Sequence, residues 1–274
     1  MDTDELMALA LEMAGFTEVP ADSQIHVPGA DLRRLLVGID IGVGELLLAR
    51  EQGFDGVIAH HPIGGHATVH FHHVLQRHAE LMEEAGVPAE EARQAVEDLS
   101  IPQETARHAS NYDRIPAFAR QLRLPFLNIH QPWDEMGRQR MVGALEVCGG
   151  DATVEDGVAA LHALPEFGVA ETSIAIRLGD AARPLGRWVV AHGAGTNGGY
   201  PVARAYFAHG VDTLVYIHVL PADLQRLRED RAWEGKNLVV TGHIVSDSLG
   251  INPYIQRLRE EGLEVVALGG VLEP

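Results

Sequence analysis

Cysteine, basic residues and long apolar runs are all scarce in this sequence of 274 residues. The single cysteine, Cys148, excludes an internal disulfide, and no CxxC pair is present for a cysteine zinc site or a redox motif. Any metal ion must therefore be held by histidines and carboxylates. No apolar run approaches the roughly 20 residues of a membrane-spanning helix, and residues 1–5 are acidic where a signal peptide is basic. We therefore expect a cytoplasmic protein with no membrane partner.

The charge balance argues against a nucleic-acid partner. The chain has 21 Lys and Arg against 39 Asp and Glu, which gives a formal charge of -18. Such a chain repels a phosphate backbone unless a local basic patch intervenes, and its arginines are scattered. Hydrophobic residues make up 46% of the chain, as in soluble globular proteins. This length allows one large α/β domain or two compact lobes, and does not choose between them.

Strands and helices alternate in the first part of the sequence. A strand over 35–39 leads to Asp40, a helix covers about 43–52, and a short apolar run over 56–59 stops at His60. This pattern predicts a βαβ unit with parallel strands, whose carboxyl ends lie at one edge of the sheet. Asp40 and His60 are therefore expected to share that edge.

A helical insertion, about 74–122, separates this unit from the next predicted strand. Apolar residues recur at helical spacing throughout it. The strand that follows covers 125–129, and His130 and Asp134 lie just beyond it. The insertion itself carries no obvious chemistry.

Three local signals predict where helices begin or break. Thr3 is expected to cap a helix that ends at Gly15. Ser100 and Gln103 resemble a capping box that opens a further helix within the insertion. Pro132 is expected to break whatever element follows the strand.

A glycine pair at 149–150 marks the predicted boundary between an N-terminal lobe, 1–148, and a C-terminal lobe, 149–274. The second lobe repeats the alternation of the first, with mainly parallel or mixed strands, and its last segment, about 237–274, is expected to pack back on the first lobe. Its strands and helices are predicted over 174–176, 188–191, 202–209, 213–217, 238–240, 246–261 and 265–268.

Histidines and acids cluster after three of the predicted strands. Open α/β sheets bind ligands at the carboxyl ends of their strands. Imidazole and carboxylate together suit zinc, iron, manganese, cobalt or nickel, and two adjacent histidines can each serve a different ion. The spacing of His243 and Asp247 places both on one helix face, where the carboxylate could bridge two ions. The clustered residues are His60, His61, His130, Asp134, His243 and Asp247.

Two other motifs have simpler interpretations. The tract His66, His70, His72 and His73 follows two glycines, which favours a solvated or adventitiously metal-binding loop over a catalytic role. The 193–198 segment matches GxGxxG, which a nicotinamide-dependent oxidoreductase would use. The acid that such a fingerprint requires after the next strand is missing, so a tight βα turn is favoured, although its amides could hold an anion.

Three sequence blocks resemble those of the NIF-three-like dinuclear metal-centre family, whose members are also called GTP cyclohydrolase I type 2 homologues. Asp40 with the later HHP block at His60, the HxxxD block at His130, and the GHxxx-acid block at His243 occur in the family's order. The 193–199 glycine turn is also similar. The resemblance covers both halves of the chain.

The resemblance implies two related α/β lobes with a metal site between them, two divalent ions per subunit (zinc, iron or manganese) and a homohexameric ring. It implies that the metal ligands are His60, His61, Asp134, His243 and Asp247. Asp40 and His130 are then candidates for groups that support the ligands or transfer protons.

The sequence also departs from the family pattern. Asp247 stands where the family has Glu and reaches one methylene less far, which leaves open whether it bridges two ions. The separation of His60 and His130 is longer than usual, the N-terminal tryptophan segment is not evident, and the pair 217–218 replaces Gly-Asp.

Two functions remain open at this point. The first is a metal-dependent hydrolase acting on a small molecule, for which the resemblance implies GTP ring opening. The second is a non-catalytic metal-binding ring that serves as a scaffold or a regulatory interaction protein. An open coordination position on a metal ion would favour the enzyme, because structural sites are closed.

Overall fold

Two β-sheets with helices packed against them make up the structure, a computed structural model that describes residues 1–274. The fold is mixed α/β, as predicted. None of its helices combines the length and the apolar character that crossing a membrane requires. The strands are β1 Gln24–Val27, β2 Arg34–Gly38, β3 Gly56–Ala59, β4 Phe126–Asn128, β5 Ala175–Leu178, β6 Trp188–Val190, β7 Thr213–Tyr216, β8 Asn237–Val240 and β9 Glu264–Leu268. The helices are α1 Thr3–Ala14, α2 Val43–Glu51, α3 Gly65–Val69, α4 Gln76–Glu84, α5 Ala89–His108, α6 Arg114–Leu122, α7 Gln131–Leu145, α8 Val154–His162, α9 Glu166–Val169, α10 Gly199–Ala208, α11 Pro221–Glu229 and α12 His243–Glu260, with 3-10 helices at Phe71–Leu75 and Arg231–Trp233.

The first sheet has the strand order β1-β4-β3-β2-β9. Strands β9, β2, β3 and β4 are parallel, and β1 runs antiparallel to β4 at the edge. Strand β3 is buried along its whole length, which explains its continuous apolar sequence. The βαβ prediction for the first part of the chain is therefore confirmed, and the carboxyl ends of β2, β3 and β4 share one edge.

The second sheet has the order β5-β8-β7-β6 and is built in the same way. Strands β6, β7 and β8 are parallel, and β5 is an antiparallel edge strand on β8. The carboxyl ends of three parallel strands thus meet at one edge of this sheet too.

The last strand, β9, belongs to the first sheet although it follows the strands of the second. It pairs in parallel with β2, with Val266 opposite Leu36. Helix α12 therefore leads from β8 in the second sheet to β9 in the first. The assignment of lobe boundaries to 1–148 and 149–274 stays a prediction.

Helices α4 and α5 of the insertion share a core with α10 and the second sheet, whereas α6 packs against α2 and β1 at the first sheet. Met82 of α4 and Val96 of α5 share a buried cluster with Tyr206 of α10 and Leu214 of β7. The insertion is thus helical, as the periodicity predicted.

Three local predictions were wrong in detail. Asp2, not Thr3, caps α1, because the Asp2 carboxylate accepts the Glu5 amide at 2.7 Å. Ser100 opens no helix, since α5 continues through it. Pro132 does not break an element but lies in the first turn of α7, where a missing amide proton is harmless.

Helices α7 and α12 approach each other so closely that glycine is required at their contact. A Cβ atom on Gly250 would lie 1.8 Å from the Trp133 carbonyl oxygen, and one on Gly137 would lie 3.0 Å from a carbonyl oxygen of α12. Asp134 lies in the first turn of α7, and Asp247 lies near the start of α12. The close crossing therefore brings these two carboxylates together.

His26 on β1 is partly buried between Phe126 and Asn128. Its ring stacks on Phe126 at a centroid distance of 5.0 Å, and its Nε2 donates to the Asn128 Oδ1 atom at 3.1 Å. Burial lowers the pKa of His26 to about 4.

His26 should make the protein sensitive to mild acid. Below its ordinary pKa of 6.5 the unfolded chain binds a proton that the folded protein does not accept until about pH 4. Stability is therefore lost as the pH falls through this window and is unaffected above it. Between about pH 7.5 and pH 5 the wild type should lose about 1 to 2 kcal/mol more than His26→Gln, which keeps an amide donor but does not titrate. Urea unfolding at each pH measures this, and equal losses in both proteins would contradict it.

Candidate metal centre

The five residues predicted as ligands lie together at the edge where the strands of the first sheet end. His60 and His61 follow β3 directly, Asp134 is on α7, and His243 and Asp247 are on α12. They form two groups that share Asp247, and within each group one ligand atom per residue lies within 4.8 Å of the others. We call the group of His60, Asp134 and Asp247 the closed group, and the group of His61, His243 and Asp247 the open group.

The closed group is withdrawn from solvent. The His60 Nε2 atom lies 3.2 Å from Asp134 Oδ1 and 3.8 Å from Asp247 Oδ1. The side chains of His60, Asp134 and Asp247 are only 0%, 5% and 1% exposed. A solvent-free set of one imidazole and two carboxylates results.

The open group faces the surface. The Asp247 Oδ2 atom lies 3.6 Å from His61 Nε2 and 3.5 Å from His243 Nε2. The side chains of His61 and His243 are 22% and 43% exposed. A molecule from solvent can therefore reach this group but not the closed one.

Asp247 reaches both groups despite its short side chain. Its Oδ1 faces His60, and its Oδ2 faces His61 and His243. Helix α12 begins at His243, so the four-residue spacing puts His243 and Asp247 on one face as predicted. Although the Asp247 side chain is one methylene shorter than that of Glu, its carboxylate therefore lies between the histidines of the closed and open groups.

Hydrogen bonds from the other ring nitrogens fix how the histidines point. The His60 Nδ1 atom donates to the Ile129 carbonyl at 3.1 Å, and His61 Nδ1 donates to Asp40 Oδ1 at 2.8 Å. Each bond leaves Nε2 directed inward, as is usual where a second partner orients a metal-binding imidazole. Asp40 itself is largely exposed and contacts His61 from outside the centre, and its role as a supporting or proton-transfer group stays a prediction.

His130 is also part of the centre, and its partner Asp22 was not predicted. The His130 Nδ1 atom donates to Asp22 Oδ2 at 2.7 Å, and its Nε2 lies 3.8 Å from Asp134 Oδ2. Burial alone would lower the pKa of His130, but the neighbouring carboxylates of Asp134 and Asp22 raise it to about 9. One ligand atom of His130 also groups with those of His60 and His61.

The electrostatics favour ionised carboxylates. Burial alone would raise the pKa of Asp134 and of Asp247, but the surrounding imidazoles hold both below the usual value. Burial lowers the pKa of His243, which favours its neutral form. Burial also acts on His61, but the nearby carboxylate of Asp247 and the hydrogen bond to Asp40 raise the pKa of that ring. Ionised carboxylates and neutral imidazoles are the forms that bind metal ions.

Several buried nitrogen and oxygen atoms that could bind a metal ion have no hydrogen-bond partner at the centre. They include His60 Nε2, Asp134 Oδ1 and both carboxylate oxygens of Asp247. Buried polar atoms are nearly always paired, so a contiguous set of unpaired ones needs a cause. Donors that share one tetrahedral ion lie roughly 3.3 to 3.6 Å apart when the bonds are near 2.0 to 2.2 Å. The separations across the two groups, 3.2 to 3.8 Å, fit donors that surround divalent ions.

Two more histidines come from the second sheet, and the sequence reasoning missed them. His192 follows β6, and its Nε2 lies 3.6 Å from Asp134 Oδ1. His218 follows β7, and its ring lies 4.6 Å from that of His243. Both lie beyond a strand's carboxyl end, the same signal that singled out His60. Asp22 gave no such signal, because the antiparallel β1 after it was not predicted.

Side chains of the protein pack closely against the glycine turn at 193–198. A Cβ atom on Gly195 would lie 2.6 Å from the Val74 side chain. The Asn197 side chain accepts the Gly199 amide at 2.9 Å and donates to His218 Nδ1 at 2.6 Å. These contacts suit the tight βα turn that the sequence favoured.

The tract His66, His70, His72 and His73 is mostly helical rather than loop-like, since His66 lies in α3, His72 and His73 lie in the following 3-10 helix, and His70 joins the two. Its rings contact one another, with 4.1 Å between the His66 and His70 centroids. None of the four joins the donor groups described above.

The two-sheet α/β fold with a histidine and aspartate centre defines a class of potential metal-binding proteins. Comparison with solved structures identifies the family. A NIF3 superfamily protein from Sphaerobacter thermophilus is 53% identical, with a TM-score of 0.94 and 98% of each chain covered. The chain therefore belongs to the NIF3 superfamily.

More distant structures share the fold. A Bacillus cereus protein related to NIF3 is 10% identical, with a TM-score of 0.57, and the match covers 100% of this chain and 98% of that one. The Staphylococcus aureus hypothetical protein SA1388 is 14% identical, with a TM-score of 0.56 and the same coverage. No family model and no curated protein matches the sequence.

Proposed function

We propose that the protein is a dinuclear metal-dependent hydrolase in which Asp247 lies between two divalent ions. The observation that carries this proposal is the position of the two Asp247 oxygens, which are buried, unpaired and directed at different histidines. The open group, unlike the closed one, is accessible from solvent through His61 and His243. Catalytic metal sites keep a position open to water or substrate, whereas structural sites are closed.

Each donor group would hold one ion. His60, Asp134 and Asp247 would bind the first, and His61, His243 and Asp247 the second, with zinc, iron or manganese matching these donors. When bound, two such ions lower the pKa of a water molecule and polarise a carbonyl or phosphoryl oxygen.

The chain itself supplies groups that orient and transfer protons. His130 directs Nε2 into the centre while Asp22 holds its Nδ1, an arrangement typical of an imidazole that acts as general acid or base. Asp40 keeps the His61 ring in place. A small molecule with a hydrolysable carbon or phosphorus centre is the expected substrate, and GTP, which the family resemblance implies, is the first to test.

The test is metal content combined with turnover. The purified wild type should contain close to two equivalents of metal by inductively coupled plasma mass spectrometry and should hydrolyse a member of a panel of nucleotides, phosphoesters and carboxylic esters. His61→Ala should hold about one equivalent and lose at least about 100-fold in kcat, because it removes a ligand of the open group. His162→Ala, at an exposed histidine on α8, is the matched control and should behave as wild type.

The outcomes separate the enzyme from the alternative. Two bound ions with no turnover of any panel member would favour a non-catalytic scaffold or regulatory role. Absence of metal after adding zinc, iron or manganese would end the proposal. The homohexamer stays a prediction, and light scattering on the same samples measures it.

A further inference from the structure

The buried side chain of Asn197 links the glycine turn at 193–198 to His218. Asn197 is 4% exposed, and its Oδ1 atom accepts the Gly199 amide at 2.9 Å. Its Nδ2 atom lies 2.6 Å from His218 Nδ1. Because a backbone amide can only donate, the oxygen of the Asn197 side chain must face Gly199. The NH2 group of Asn197 must therefore face His218.

This contact determines which nitrogen of the His218 ring carries the proton. The NH2 group of Asn197 can only donate, so His218 Nδ1 must accept with its lone pair. The ring is then neutral, and its proton is on Nε2. Apart from a contact of 3.4 Å with the same Asn197 amide, Nε2 has no hydrogen-bond partner in the protein. His218 therefore has an N–H donor that the fold does not use.

The partly buried ring of His218 lies beside the open group without belonging to it. Its centroid lies 4.6 Å from that of His243, and the His243 centroid lies 5.1 Å from that of His61. His218 nevertheless belongs to none of the sets of ligand atoms that could surround an ion. A ring beside two potential ligands that is not itself one is placed to contact what an ion at the open group binds.

We propose that His218 donates a hydrogen bond from Nε2 to the substrate oxygen held at the open group. This inference rests on the proposed function, because the ion of the open group would bring the substrate there. The oxygen would belong to a phosphoryl or carbonyl group, on which negative charge develops during hydrolysis. A donor fixed before the reaction stabilises that charge. A neutral donor also suits a position beside a cation, because it adds no repulsion.

The glycine turn would then serve the site by orienting this donor rather than by holding an anion. Its Gly198 amide already donates to Thr196 Oγ1 at 3.1 Å, and its Gly199 amide donates to Asn197 Oδ1. These two amides are therefore not free for a bound anion. His218 follows β7, so the second sheet would contribute a substrate contact to a group whose ligands come from β3 and α12.

Two variants of matched length test the donor. His218→Gln keeps an N–H group at a similar reach, whereas His218→Met fills similar space without one. Both should retain two equivalents of zinc. Isothermal titration calorimetry of the zinc-loaded proteins with inorganic phosphate measures binding without turnover. His218→Met should bind phosphate at least about tenfold more weakly than wild type, and His218→Gln should stay within about threefold. His218→Met should also lose about 100-fold in kcat with any substrate that the wild type hydrolyses.

His162→Met, at an exposed histidine on α8, controls for the change of residue type and should bind zinc and phosphate as wild type does. Equal phosphate affinity in wild type and His218→Met would overturn the role of His218 and leave the proposed function intact. Equal weakening in the Gln and Met variants would do the same, because shape rather than the donor would then matter. Loss of zinc from His218→Met would also overturn it, since the ring would then support His243. Zinc-loaded wild type that binds no phosphate would overturn it as well, and wild type that binds no zinc would overturn both proposals.

Discussion

Gly250→Ala is expected to lower the free energy of unfolding by about 3 kcal/mol or more, because the methyl group has no space. The new Cβ would lie 1.8 Å from the Trp133 carbonyl oxygen and 3.1 Å from the Gly137 amide nitrogen. These are backbone atoms of α7, so relief requires the two helices to separate. Separation would move Asp134 away from Asp247, and the variant should lose metal affinity together with stability. Urea unfolding and metal content measure the two effects.

Gly143→Ala on α7 is the control for the change of residue type. A Cβ atom at Gly143 would have no neighbour within 4 Å, and the position is exposed on the helix. Alanine is favoured over glycine there by about 0.5 to 1 kcal/mol, so this variant should be slightly stabilised. If Gly250→Ala were as stable as wild type, the helices would not be as close as described.

Asp247→Asn is expected to abolish the binding of both ions with a single change. The amide keeps the shape of the side chain but removes the charge that faces His60 on one side and His61 and His243 on the other. Replacing a residue that binds only one ion, such as His61, should remove about one equivalent of bound metal. The loss of both equivalents from one substitution would therefore indicate a carboxylate that both ions share. Metal content by mass spectrometry after loading and desalting measures it.

The same variant should also destabilise the metal-free protein. The imidazoles around Asp247 hold its pKa below the usual value, so its charge stabilises the fold more than the repulsion from Asp134 opposes it. Thermal unfolding without metal should therefore give a midpoint below that of wild type, and the rise caused by metal should disappear. Asp151→Asn, on the exposed surface, should retain both ions. One equivalent left in Asp247→Asn would mean that the carboxylate serves a single ion.

The sequence allowed much of the centre to be predicted because one geometric rule governs it. Parallel strands have their carboxyl ends at a common edge, so the residues after β3 and β4 had to lie near each other. His60 and His130 follow those strands, and the structure places their ring centroids 4.7 Å apart. Helical spacing then predicted that His243 and Asp247 share a face.

The residues of the centre that could not be predicted from the sequence are brought there by contacts between elements far apart in the chain. His192 and His218 lie at the edge of the second sheet, and no local pattern indicates that this edge faces the first. The approach of α7 to α12 depends on single glycines far apart in the chain, Gly137 and Gly250. Asp22 reaches His130 across 108 positions from a short segment before an antiparallel strand. The local periodicity of the sequence predicts none of these long-range contacts.

The place of β9 in the first sheet has a consequence for when the centre can form. His60 and His61 leave the ribosome long before α12, which carries His243 and Asp247, and β9 follows α12 and pairs with β2. A partly synthesised chain therefore has imidazoles but not the carboxylate between them. Under the proposed function such a chain lacks the shared ligand, so both ions would be bound only after α12 has been made and the long-range contacts of the centre have formed.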